Sequence, residues 1–113
     1  MSTTVEQLRA MALAMPGAVE GAHHGHADFR CEGRVFASLH PDGEQAMVKV
    51  APGEQQRLLR QHGGAFSPAS GAWGRAGCTM VRLAAVDREV LGDAIGEAWQ
   101  FAAAAVAKAR AKK

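Results

Sequence analysis

The stretch Ala27-Asp28-Phe29-Arg30-Cys31, Glu32-Gly33, Arg34-Val35-Phe36-Ala37-Ser38-Leu39, His40-Pro41-Asp42-Gly43, Gln45-Ala46-Met47-Val48-Lys49-Val50 decides how this chain folds. Residues 27–31 alternate, with Phe29 and Cys31 on one side and Asp28 and Arg30 on the other. In 34–39 the apolar positions Val35, Ala37 and Leu39 share a face, and in 45–50 Met47, Val48 and Val50 are apolar. Period-two alternation is the mark of a half-buried strand. Glu32-Gly33 is a short turn, and Pro41-Asp42-Gly43 combines a fixed φ with a residue that tolerates positive φ. Three strands joined this closely predict an antiparallel meander.

Working outward, helix is expected on either side. Towards the N-terminus, Val5, Leu8, Met11, Ala12 and Met15 recur at helical spacing over about 4–15. Thr3 with Glu6, or Thr4 with Gln7, offers a capping box, and Pro16-Gly17 ends the helix. Residues 17–26 read as a loop rich in Gly and His. After the meander, Pro52 opens a helix over 52–61 anchored by Leu58 and Leu59 and stopped by Gly63-Gly64. Residues 65–77 read as irregular, with a short strand near Phe66, and 78–83 as a further strand. Asp87 is placed to N-cap the longest helix, 88–109, whose buried stripe runs through Leu91, Ile95, Ala98, Trp99, Ala102 and Val106. The order α-β-β-β-α-β-α predicts an α+β fold, with helices packed on a mainly antiparallel sheet of four or more strands.

The 113 residues suit one domain, 1–113, with a basic tail expected to fray from about 108. With 48% hydrophobic and 21% charged residues, the composition is globular. No apolar run approaches the roughly 20 residues of a membrane span, and the first residues lack the pattern of a signal peptide. The expected compartment is the cytoplasm, with Cys31 and Cys78 as reduced thiols.

Charge is unevenly spread. Residues 1–56 carry four Lys/Arg against seven Asp/Glu, and residues 57–113 carry nine against four. No acid falls between Glu54 and Asp87, an interval holding Arg57, Arg60, Arg75 and Arg82. This asymmetry favours an anionic partner such as DNA or another nucleic acid. The bland reading is ordinary local bias on a solvated surface.

Two local features carry candidate chemistry. His23, His24 and His26, with Asp28 nearby, are suitable ligand types for zinc or a related ion. Their spacing matches no established metal pattern, so a histidine-rich loop packed on the first strand is expected, and no resident metal or cofactor. Trp73, flanked by Gly71, Gly74 and Arg75, sits in a glycine-rich segment. A loop tryptophan ordinarily folds back to cap the core, which is the expectation here. The alternative stacks its ring on a base while Arg75 meets phosphate. Nucleotide-binding glycine motifs and the nucleophile elbow are missing, so no enzymatic activity is expected.

The run from His23 to Arg30, followed by Gly33-Arg34-Val35-Phe36-Ala37, resembles the signature region of the MmcQ/YjbR family. Gly71-Ala72-Trp73-Gly74-Arg75-Ala76-Gly77-Cys78-Thr79 is similar to its second signature loop, and Leu13-Ala14-Met15-Pro16-Gly17 fits its opening. Cys78, where an aromatic residue is frequent, and Arg34, where lysine is common, depart from the pattern. The resemblance implies a frataxin/CyaY-like, double-wing type of α/β fold and a DNA-binding role. It supplies no catalytic residue. An iron-handling role by analogy with frataxins is disfavoured, since the first helix offers only Glu6 beside Arg9.

Three functions therefore stand side by side: a nucleic-acid-binding module using Arg30, Lys49, Trp73, Arg75 and Arg82; a small-ligand or metal-binding protein using His23, His24, His26 and Asp28; and a protein-interaction domain without catalysis.

Overall fold

The two threonines at the start of the chain divide their work. A computed structural model describes residues 3–23 and 25–112, and at His23 it describes the backbone alone. Helix α1 spans Val5–Leu13. Its box is built by Thr4 and Gln7: the Gln7 N–H donates to Thr4 Oγ1 at 3.1 Å, and the Thr4 N–H donates to Gln7 Oε1 at 2.9 Å. Thr3 is left free to be buried. Its hydroxyl donates to the Val86 carbonyl at 2.9 Å and its N–H to the Leu83 carbonyl at 2.8 Å. The start of the chain is thereby tied to the segment that leads into the last helix.

Six strands form one antiparallel sheet in the order β1-β2-β3-β4-β6-β5. They are β1 (Ala18–His23), β2 (His26–Cys31), β3 (Arg34–Leu39), β4 (Gln45–Lys49), β5 (Phe66–Pro68) and β6 (Cys78–Arg82). The expected meander is β2 to β4. The Glu32-Gly33 turn has φ of 49° and 87°, the paired positive values that suit a two-residue hairpin. Beyond the next turn, Asp42 Oδ1 accepts from the Glu44 and Gln45 N–H groups at 2.8 and 3.0 Å. Those bonds, the one from Glu44 foremost, hold its carboxyl below the usual carboxylate range.

Two regions differ from expectation. Residues 18–23 form an edge strand, not a loop, paired with β2 from Ala18↔Cys31 to His23↔His26. Glu20 and Gly21 hide its alternation, and each has a tertiary reason: Glu20 pairs with Arg9 of α1 at 3.0 Å, and Gly21 makes room for a neighbour described below. Within 65–77, the short strand near Phe66 is the edge strand β5, and Gly71–Arg75 forms a helix, α3, where none was expected.

The pairing of β2 with β3 shifts between Phe29 and Arg30, leaving Phe36 as the extra residue. Phe36 and Ala37 are both fully buried, so the bulge turns two consecutive side chains into the core. Phe29, Ala46, Val48 and Val81 complete that face. Covering it are α1, α2 (Pro52–Gln61) and α4 (Arg88–Ala111).

Helix α4 buries Leu91, Ala94, Ile95, Ala98 and Ala102 at helical spacing. Asp87 holds its N-cap position without bonding the helix backbone through its side chain. Trp99 donates from Nε1 to the Pro16 carbonyl at 2.8 Å, fixing the α1–β1 connection. The helix runs on to Ala111, and Arg110 pairs with Glu32 of the β2–β3 turn, so the stretch expected to fray from 108 is the last turn of α4. Among the described residues no helix is long and apolar enough to cross a membrane.

Ile95 has no exposed surface. Ile95→Asp would bury an unpaired carboxylate there. The expected outcome is loss of the cooperative thermal transition followed by circular dichroism. A soluble I95D protein melting like the parent would place α4 outside the core.

Candidate nucleic-acid interface

Strand register sorts the polar side chains. Directly paired residues point to the same face of a sheet, and neighbours along a strand to opposite faces. Gly21, Asp28, Ser38, Met47 and Met80 therefore form one row across five strands. Beside that row, Arg30 pairs with Val35, Lys49 with Cys78, and Arg82 with Gln45. All of these lie opposite Phe29, Ala37, Val48 and Val81, on the face away from α1, α2 and α4. Arg30, Lys49, Arg82 and His26 thus share one face. Cys31 points the other way, into the core.

Sharing a face is not the same as being available. Arg30 grips Asp28 with two parallel bonds, Nε to Oδ1 at 2.8 Å and Nη2 to Oδ2 at 3.0 Å. That bonding raises the Arg30 pKa. Asp28 is 0% exposed although it stands on the open face. Gly21 allows this: a Cβ there would come within 2.9 Å of Asp28 Oδ1 and 3.2 Å of Arg30 Nε. Arg30, expected to reach out to phosphate, is neutralised in place by its own strand. Asp28, named beside the histidines in the alternative ligand site, has both oxygens engaged by that guanidinium.

Lys49, Arg75 and Arg82 make no ion pair among the described residues, and neither does Arg34, which sequence reasoning did not select. Arg34, Arg75 and Arg82 are exposed and Lys49 is half-buried. Lys49 acts on Cys78. Burial pushes that thiol up, and the lysine charge offsets only part of the rise, so Cys78 is a protonated thiol at neutral pH.

Trp73 is 72% exposed, so it does not cap the core as expected. The cause is local. Gly74 occupies the inward position of α3, where a Cβ would meet the Ala69 carbonyl at 1.9 Å. Gly77, at φ +109°, passes so close to Val50 that a Cβ would lie 2.0 Å from its carbonyl oxygen. Gln55 of α2, only 4% exposed, then clamps the segment. Its Nε2 donates to the Gly74 carbonyl at 3.0 Å, the Cys78 carbonyl at 3.2 Å and Thr79 Oγ1 at 3.1 Å. With the backbone of α3 pressed inward, the indole ring has only the outward direction left.

Beside Trp73 opens a groove of about 440 Å³. At the sheet end where β3 begins and β4 finishes, Arg34, Lys49 and Trp73 line it together with Phe101 and Ala105 of α4. Val35, Ser38, Met47 and His26 carry its lining onto the open face.

The YjbR family model matches residues 13–101, which take in α1's last residue, the whole sheet and most of α4. This chain belongs to the YjbR family. The fold has a counterpart in the crystal structure of the Deinococcus radiodurans protein DR2400, whose domain carries the family label DUF419. The two chains are 20% identical, with a TM-score of 0.71 over 87% of this chain and 77% of that one. No curated protein matches the chain.

In this YjbR chain the histidine cluster is a hairpin. His23 pairs with His26 across the tight connection that contains Gly25, at φ +82°. His24 and the His23 side chain lie outside the described residues, and His26 faces the groove. Among the described residues no three His, Cys, Asp or Glu gather as a metal site.

Gln55 was not singled out from the sequence, although it falls on the same helical stripe as Leu58. Its replacement tests the clamp. Gln55→Leu removes three side-chain hydrogen bonds and leaves the buried Thr79 Oγ1 without its donor, while the Gly74 and Cys78 carbonyls keep their backbone donors, an expected cost of about 1–3 kcal/mol. Urea denaturation measures that loss, and an unchanged midpoint would mean that α3 is held by other contacts.

Proposed function

We propose that this YjbR protein is a nucleic-acid-binding module that holds single strands weakly and with little sequence preference. The observation that carries the reading is the occurrence of Lys49 and Arg82, cations on the open sheet face without ion partners among the described residues, together with the exposed Trp73 and with Arg75 on the same short helix. Cations following a backbone and an aromatic face for a base are the two elements of sequence-tolerant single-strand binding. Arg30 is left out of the contact set, because Asp28 already satisfies it. The protein acts by binding, without a catalytic step, and its proposed setting is the cytoplasm, where the buried Cys31 and Cys78 stay thiols.

Three phosphate contacts on a single strand imply a log–log salt slope of about −2. Raising salt fourfold should then weaken binding by about twentyfold. Fluorescence anisotropy with a labelled single-stranded oligonucleotide measures this. The double charge reversal R75E/R82E should weaken binding at least as much without lowering the melting temperature, since both side chains are exposed. Trp73→Ala should reduce single-strand affinity by about 1–3 kcal/mol, the usual worth of one stacked base. Salt-independent binding, equal binding by R75E/R82E, or no binding at low salt would defeat the reading.

A further inference from the structure

The groove beside Trp73 has a character that phosphate-backbone binding leaves unexplained. Its volume, about 440 Å³, falls within the range of small-molecule sites. Most of its wall is apolar, from Val35, Met47, Phe101 and Ala105, with Trp73 at the side. Polar groups are few, and two are cations, Lys49 and Arg34, from adjacent strands at the same end of the sheet. Neither has an ion partner among the described residues. Lys49 is half-buried there, next to the buried Cys78 thiol.

An apolar trough bordered at one end by two cations that have no ion partner among the described residues is complementary to an amphipathic anion. The apolar body removes the wall from water, and the anionic head neutralises a lysine that is already partly desolvated. The head is best matched by a single negative charge. A dianion would bring more charge to desolvate than a mainly apolar lining can compensate. The body is best matched by a flat ring system, because an indole and a phenyl side chain both contribute to the lining.

We infer that this groove is a binding site for a small planar carboxylate, its aromatic body against Trp73, Met47 and Phe101 and its carboxylate at Lys49 and Arg34. The site shares Lys49 and Trp73 with the proposed nucleic-acid surface but does not rest on that reading, and stands whether or not an oligonucleotide binds.

The probe is 2-naphthoate, titrated into the intact protein with the Trp73 indole N–H followed by ¹H–¹⁵N NMR. Saturable shifts at Trp73 and at the backbone of Lys49 and Arg34 are expected. The uncharged 2-naphthamide should bind about tenfold more weakly, because a charge-assisted hydrogen bond is lost. That comparison uses unaltered protein and so does not depend on how any variant folds. Lys49→Met should remove the preference for the acid over the amide, and Ala105→Leu, which fills the groove, should weaken both ligands. R75E/R82E should leave naphthoate binding intact, since neither residue lines the groove, while it weakens oligonucleotide binding. Equal affinity for acid and amide, no saturable shift at Trp73, or loss of naphthoate binding in R75E/R82E would overturn the inference.

Discussion

One side-chain amide organises the functional end of this molecule. Gln55 projects from α2 beneath the α3–β6 segment and bonds the Gly74 carbonyl, the Cys78 carbonyl and the Thr79 hydroxyl. The Thr79 hydroxyl in turn donates to the Gly77 carbonyl at 3.0 Å, so it both accepts and donates within the cluster. Such a network stabilises only when complete, because a buried donor or acceptor without a partner costs more than the bond is worth. Its consequence is positional. A five-residue helix has little stability of its own. Held by Gln55 and by the two glycines that let its backbone press inward, α3 becomes a fixed mount that turns Trp73 outward and Gly74 inward.

A second constraint shapes the open face. A carboxylate with no exposure is costly unless it is paired and hydrogen-bonded. Asp28 meets both conditions through Arg30, and Gly21 supplies the space. The pair removes one cation and one anion from the electrostatics of that face. What remains on it is Lys49 and Arg82, with Arg75 on α3 and Arg34 at the sheet end. Two of these cations, Lys49 and Arg34, come from the first half of the chain, so the charge of this face is set by a few specific residues and not by the positive excess of the second half.

The meander was legible because alternation and turn chemistry agreed: Phe29 with Cys31, the Glu32-Gly33 turn, and Pro41-Asp42-Gly43. Helix α4 was legible from its stripe through Leu91, Ile95 and Ala98. Strand β1 was not, because Glu20 and Gly21 answer to partners on other elements, which no local pattern encodes. Helix α3 was hidden by Gly74 and by Gly77 just beyond it, whose value lies in close approach to Ala69 and Val50. At the candidate site, strand parity put Arg30 and Arg82 on the polar side correctly. Parity is silent on whether a cation is already paired, which is why the Arg30–Asp28 pair and the exposed Arg34 went unread. Trp73 went against the usual burial of large aromatics because the neighbouring Gly74 took the inward place.

The central claim is that the face opposite the helices, with α3 at its edge, is the surface that meets nucleic acid. Backbone amide shifts on adding an unlabelled single-stranded oligonucleotide test it most directly. The account predicts shifts concentrated at Lys49, Arg82 and the Trp73–Arg75 segment, and absent from the outer surfaces of α1 and α4. Shifts centred on those helices, with Trp73 and Lys49 unmoved, would contradict it.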